Sequence, residues 1–287
     1  MRKSRNRKVV KEFGDEWAKF KNERVELEST LEEQFKAYAL PLEHFNLPKN
    51  TVAADFGAGS GRWDKFFATT VGHLIIVEPS KDAITVAREN LAKFSNVTFY
   101  NQAIEDCSIP ENSLDLAISL GVLHHTDDTD IALQKIQEKM KPGGVLLCYL
   151  YYNLENKSNL YRFIWKISDL VRIVFSKLPK FLKLIFAELI AIFIYLPLAR
   201  LSSLIEKLGR SAASIPLHHY AKMPIYFLRN DALDRFGTRV ERRFNKAQIS
   251  ELLLGAGFDV STLHFSDSEP FWTFAVQKNH RENIETN

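Results

Sequence analysis

Asp55-Phe-Gly-Ala-Gly-Ser-Gly61 sets three glycines at alternate positions directly after the apolar run Thr51-Val-Ala-Ala54. Gly57, Gly59 and Gly61 let the backbone turn sharply and let a ligand approach with no Cβ in the way. A helix following such a loop would add free N–H groups and positive potential. The spacing is G-x-G-x-G. Arg62 stands where the dinucleotide pattern G-x-G-x-x-G would have its third glycine against the helix, which disfavours a nicotinamide-dependent oxidoreductase. Glu78 closes a second apolar run, 23 residues after Asp55. An acid at that place can accept hydrogen bonds from both ribose hydroxyls of an adenosine-type cofactor, and it would repel a 2′-phosphate.

Proton-transfer candidates are fewer. His124 and His125 follow a fourth apolar run, and His218, His219 and Tyr220 precede the end of a long insertion. Tyr220, His219 and His124 rank first. Each has a purely structural role as its alternative. No pair of these histidines has the helical spacing of a metal motif, and two cysteines, Cys107 and Cys148, build neither a disulfide scaffold nor a cysteine zinc site, so no metal is expected.

The elements that must position these groups follow from the period of the apolar residues. Residues 15–45 read as an amphipathic helix, with Trp17 placed to cap a site and Pro48 ending the pattern. Strands are expected at 51–56, 73–78, 97–101, 114–119 and 145–151. Helices are expected at 62–70, 80–93 (with Ser80 as N-cap) and 129–140, the last stopped by Lys141-Pro-Gly-Gly144. Strands alternating with helices, each strand nearly all apolar, imply a parallel sheet covered on both faces. After the insertion, 225–236 reads as a connector, 245–255 as a helix, and 258–265 and 271–277 as two neighbouring strands.

In this order the motifs resemble the class I S-adenosylmethionine-dependent methyltransferases, the methyltransferase-11-like group in particular. The resemblance rests on Asp55–Gly61, Val77-Glu-Pro-Ser80, Ile104-Glu-Asp106, Pro110-Glu-Asn-Ser-Leu-Asp115, Ser119-Leu-Gly-Val-Leu-His-His125 and Lys141–Gly144. It implies a Rossmann-like α/β sheet of seven strands, the last antiparallel, with helices on both faces and a helical insertion after strand five. The division is then a helical cap at 1–50, a cofactor-binding core at 51–153 and 225–279, and an insertion at 154–224.

The resemblance also assigns residues to S-adenosylmethionine. Gly57, Gly59 and Gly61, with Phe56 and Ala58 between, would underlie its methionine and ribose. Asp55 would hold the loop and reach the amino group, and Glu78, followed by Pro79, would hold the ribose diol. Ile104 and Glu105 would flank the adenine, and the carbonyls of Ser119 and Leu120 would face the amino group and the sulfur. Ala103 departs from the family, in which an Asp commonly accepts the adenine amine. Glu105, Asp106 or backbone atoms must serve instead. The implied activity is methyl transfer by in-line displacement to a small-molecule, sugar or lipid-like acceptor. The alternative is a cofactor-binding, membrane-docking protein without transfer activity.

The chain has 287 residues, 46% of them hydrophobic, and a net charge of +3, which argues against disorder and against a nucleic-acid partner. The N-terminus is basic without the apolar core of a secretory signal, so a cytoplasmic location is expected. The charge is unevenly spread. Residues 154–210 hold ten bases and four acids, so the net +6 there leaves the rest at −3. The same segment is the most apolar. A basic amphipathic helix is expected at 159–178, broken by Pro179. A second helix at 180–196 would end before Pro197, too short at about 25 Å to span a bilayer core of ~30 Å. The insertion therefore reads as a lid, a homodimer contact or a peripheral membrane contact through 154–210.

Overall fold

The computed structural model describes residues 25–212, 215–237, 240–267 and 272–280. Trp17, and with it the proposed cap, lies outside them. The chain divides into two compact units, one of residues 1–155 with 240–287 and one of residues 156–239.

The first unit is built on seven strands: β1 (Val52–Phe56), β2 (His73–Val77), β3 (Val97–Tyr100), β4 (Leu114–Leu120), β5 (Met140–Tyr149), β6 (Phe258–Phe265) and β7 (Thr273–Lys278). Their order in the sheet is β3-β2-β1-β4-β5-β7-β6. The first five are parallel, and β7 runs antiparallel to both its neighbours. Ala54, Phe56, Ile75 and Val77 point to one face, and Ala53, Leu74 and Ile76 to the other; all seven are buried. A sheet covered on both sides needs this unbroken apolar spelling. The strand order reverses between β1 and β4, and in open α/β sheets ligands bind outside the carboxyl ends of the strands at that point.

Helices α1 (Val25–Ala39), α2 (Asp64–Phe67), α3 (Lys81–Asn90) and α4 (Thr129–Lys139) belong to this unit. Ser80 caps α3, accepting from the Ala83 N–H at 3.3 Å. The helix expected at 62–70 shortens to α2, because the Thr69 and Thr70 hydroxyls bond back to the Phe66 and Phe67 carbonyls and favour turns over further helix. Strand β5 starts five residues before its expected position. Met140 pairs with Leu114, and a register shift with Gly143 at φ +74° carries the chain through Pro142.

The second unit contains α5 (Asn159–Phe175), α6 (Lys180–Ile190), a π-helical turn at Ala191–Tyr195, α7 (Leu196–Lys207) and α8 (Ile225–Gly237). Two expectations change here. Helix α6 does not stop before Pro197 but runs on into α7. The Leu196 N–H reaches back to the Ala191 carbonyl, and this widened turn absorbs the proline where an α-turn would clash. Residues 225–236, read as a connector, form α8, which packs against α5 and α6. The return to the sheet unit thus falls at Val240 and not at Ile225. There α9 (Lys246–Gly255) opens with the Asn245–Gln248 capping box and covers the Phe56 face of the sheet.

Candidate functional site

Three glycines make the turn after β1 with positive φ: Gly57 at +88°, Gly59 at +59° and Gly61 at +72°. A Cβ on Gly57 would lie 2.5 Å from Val122 Cγ1, so space as well as torsion requires glycine. The loop is tied down from two sides. Gly57 N–H donates to the Val77 carbonyl at 2.7 Å, and Asn90 at the end of α3 donates to the Ser60 carbonyl at 2.9 Å. Residues 62 and 63 are still in turns, so the four-residue α2 does not bring its N-terminus to the loop, and the N–H groups of Gly57, Ala58, Gly59 and Gly61 are bonded to Val77, Glu78 and Ala58 within the fold.

Glu78 joins the ends of β1 and β2 into one cradle. Its Oε2 accepts the Gly59 N–H at 3.0 Å and its Oε1 accepts the Ser80 N–H at 2.7 Å. A carboxylate has about four acceptor positions, so two remain for a diol. The side chain is only 6% exposed, and burial pushes its carboxyl up to about 7 against those two N–H donors. Asn101 after β3 donates to the Glu78 carbonyl at 2.8 Å, and the Ser119 hydroxyl at the end of β4 donates to the Phe56 carbonyl at 3.2 Å. The ends of four strands are thereby locked around the loop.

Asp55 and Asp64 lie beside each other under this loop, both buried. Burial and the neighbouring carboxylates of Asp64 and Glu78 push Asp55 well above the usual carboxylate range, and burial also raises Asp64. Oδ1 of Asp55 and the Ser60 hydroxyl have no hydrogen-bond partner. Unpaired buried polar atoms cost about 1–3 kcal/mol each, so they mark positions that a ligand donor would satisfy. Among the described residues no group of three or more His, Cys, Asp or Glu is arranged to hold a metal ion.

The structure brings Asp55, the glycine loop, Glu78 and Ser119 together. Phe56 is fully buried in the core, so only its backbone borders the loop. Ala58, Pro79 and Leu120 are partly exposed at the same strand ends. Ile104 is buried in a short turn after β3, whereas Glu105 beside it is exposed.

His124 sits in the turn after β4, fully buried, stacked on Tyr151 with centroids 3.7 Å apart. Neither ring nitrogen has a partner, and burial, with His125 and Arg243 nearby, holds its pKa well below the usual value. Tyr220 and His219 belong to the other unit. Their rings are 3.9 Å apart, and the Tyr220 hydroxyl bonds to Asp231.

Sequence reasoning missed Asp64, Ser60 and an aromatic wall. Tyr38 of α1 lies 5.3 Å from Trp63 and 5.3 Å from Tyr149, and Phe35 stacks on Phe66 at 4.8 Å. The segment before the sheet therefore packs directly beside the glycine loop. The signal for Asp64 was one acid among Trp63, Phe66 and Phe67; Phe35 and Tyr38 of the wall showed only as apolar positions of the helix expected at 15–45.

With this geometry in place, a methyltransferase-domain model matches residues 54–148. That segment is a class I methyltransferase domain, of the type whose cofactor is S-adenosylmethionine. A Claviceps purpurea protein named methyltransferase is 30% identical over 95 residues, 33% of this chain and 29% of that protein. The ubiquinone/menaquinone biosynthesis C-methyltransferase UbiE of Hydrogenovibrio crunogenus is 29% identical over 120 residues, 39% of this chain and 46% of that one. The chain spans less than half the length of these curated relatives. Among solved structures, a chain of the complex containing the Haloferax volcanii Trm112 methyltransferase activator superposes with TM-score 0.53 at 14% identity, over 93% of this chain and 98% of that one. A SAM-dependent methyltransferase from Thermotoga maritima gives 0.50 at 14%, over 94% and 100%. At these identities the likeness is one of fold.

The cradle fits the cofactor on its own terms. The glycine loop leaves room for backbone approach, Glu78 keeps two acceptor positions, and the unpaired oxygen of Asp55 suits an amino group.

Proposed function

We propose that the protein transfers the methyl group of S-adenosylmethionine to a small-molecule, sugar or lipid-like acceptor. The observation that carries this reading is the Glu78 carboxylate, buried and bonded to Gly59 N–H inside a loop of three positive-φ glycines. The bound cofactor supplies a methyl group already made electrophilic by the sulfonium.

The chain's own task is alignment and exclusion of water, which together contribute most of the rate of an in-line displacement. In this reading Gly57–Gly61 let the methionine and ribose approach the backbone with no Cβ in the way, Phe56, Ala58 and Pro79 border them with main chain, and Glu78 accepts both ribose hydroxyls. Asp55 takes the amino group with its unpaired oxygen, and the carbonyls of Ser119 and Leu120 complete that side. Ile104 packs on the adenine and Glu105 reaches its amine. Where a proton must leave the acceptor, His124 after β4 is the candidate to receive it. Tyr220 is engaged with Asp231, so we assign neither it nor His219 a proton transfer. The relative named for a quinone-biosynthesis C-methylation supports the lipid-like end of the acceptor range.

Incubation with methyl-tritiated S-adenosylmethionine and separate polar and lipid extracts tests this. Label should appear in a product fraction with the wild type and fall by roughly ten- to hundredfold with Glu78→Gln at cofactor concentrations below saturation. Cofactor binding with no label in any fraction would contradict transfer.

A further inference from the structure

The helical unit carries its side chains in the reverse of the usual aqueous order. On α5 the stripe turned inward is Tyr161, Trp165, Asp169, Arg172 and Ser176, each buried or half-buried. Arg172 bonds to Asp169 at 2.6 Å, and Trp165 lies against Arg235 of α8. The stripe turned outward is apolar: Leu160 is 68% exposed, Phe163 61%, Leu170 65% and Val174 63%. The continuous helix from α6 to α7 repeats the pattern. Its buried line is Lys183, Ala187, Ala191, Tyr195, Ala199 and Ser202, whereas Phe181, Ile185, Phe193, Leu204 and Leu208 are exposed. Both charges that interrupt its apolar half turn inward to α8. Lys183 donates to the Gly237 carbonyl at 2.9 Å, and Glu188 pairs with Arg229 at 2.7 Å.

Small and polar residues between helices, with large apolar ones outside, is the order of proteins solvated by lipid. Of the 21 large hydrophobic side chains exposed among the described residues, 17 lie between Leu160 and Leu208. A water-facing monomer rarely exposes a contiguous patch above a few hundred Å². Only 22% of the apolar stretch of Phe181–Lys207 is buried, so this is not the core helix of a water-soluble domain.

Charge selects the occupant. The exposed bases on these helices and just beyond are Arg162, Lys166, Lys177, Arg200, Lys207 and Arg210, against one exposed acid, Glu206, between 159 and 210. A second copy of the chain would set the same bases against each other, whereas anionic lipid headgroups complement them. Orientation follows from α8. The 27 residues of Phe181–Lys207 reach about 40 Å, enough to cross a bilayer core. Yet the inner sides of α5 and α6 are already taken by α8, which bears Arg229, Asp231, Asp234 and Arg235 and would be carried into hydrocarbon with them.

We propose that the joint apolar face of α5 and α6–α7 lies in the plane of an anionic bilayer interface, with the flanking Lys and Arg side chains on lipid phosphates. This proposal does not rest on methyl transfer.

The test is flotation of the full-length chain with vesicles of phosphatidylcholine, with and without phosphatidylglycerol. Binding is expected to the anionic vesicles, weaker by at least about tenfold without phosphatidylglycerol, and reversible in alkaline carbonate. Phe163→Asp with Phe193→Asp should lower it by a similar factor while the circular-dichroism spectrum and the unfolding midpoint hold. Absence of flotation with anionic vesicles overturns the proposal. So does a stable dimer in light scattering that Phe193→Asp dissociates, which assigns the face to a second copy, and so does resistance to carbonate, which means a spanning helix.

Discussion

Glu78 holds the Gly59 N–H at 3.0 Å, so the acid that ends β2 also fixes the loop that follows β1. One carboxylate thus sets both the shape of the cradle and its charge. The substitution Glu78→Gln removes the charge and one of the two ties. The amide oxygen can still accept from Gly59, but its NH2 group then stands where Oε1 accepts the Ser80 N–H, so one tie survives, one is lost, and the charge-assisted acceptor for a diol is gone. Charged hydrogen bonds contribute about 1.5–3 kcal/mol, so S-adenosylhomocysteine should bind roughly ten- to hundredfold more weakly. Calorimetry checks it, with circular dichroism showing that the variant is folded; equal affinity removes Glu78 from the site.

Gly57→Ala should destabilise the protein by about 1–3 kcal/mol, through the left-handed torsion and the collision with Val122. At this chain length that lowers the unfolding midpoint by roughly 2–4 °C for each kcal/mol. Adding Val122→Ala relieves the collision but not the torsion, so recovery should be partial. Full recovery would mean that the torsion contributes nothing.

The buried acids predict a pH slope of definite sign. Burial pushes Glu78 up to about 7 in the folded protein against an ordinary 4.5, and Asp55 is raised in the same direction. Between those values the folded chain holds protons that the unfolded chain has released. Stability of the ligand-free protein therefore falls as pH rises from about 4.5 to 7 and stays lower above, by at most about 1.4 kcal/mol per unit of displacement. Urea titrations across that window read it directly. In Glu78→Gln the slope should shrink, and a wild-type stability that climbs across the window contradicts the raised carboxyls.

Lys278 at the end of β7 is buried, with Nζ donating to Asn112 Oδ1 and to the Gln137 and Met140 carbonyls at 2.9–3.1 Å. Lys278→Met keeps the stem and strands these acceptors, at about 1–3 kcal/mol of stability. The exposed Lys81→Met is the control and should fall within about 0.5 kcal/mol of wild type. Equal unfolding midpoints for the two variants would show that the buried ammonium is not needed.

The sheet was legible because its strands are short and apolar, and the glycine loop after β1 and the acid after β2 stand directly at the ends of such runs. What was not legible has physical causes. Pro197 reads as a stop, and only the wider π turn at Ala191–Tyr195 lets a helix pass it. Residues 225–237 alternate charge and apolar groups without a clean stripe, because Arg229 and Asp231 are turned to partners within the unit and not to water. The period of α5 shows two stripes but not which one faces inward, and here the apolar one faces out. Asp64 escaped notice because an acid in the first turn of a helix is ordinary until burial sets it beside Asp55.

The central claim, that the β1 and β2 ends form an S-adenosylmethionine cradle, is tested most directly by titrating the full-length protein with S-adenosylhomocysteine in a calorimeter. One site is predicted, abolished by Gly59→Arg, which places a long side chain at φ +59° in the cradle. No heat and no thermal shift with the folded wild-type protein would contradict it.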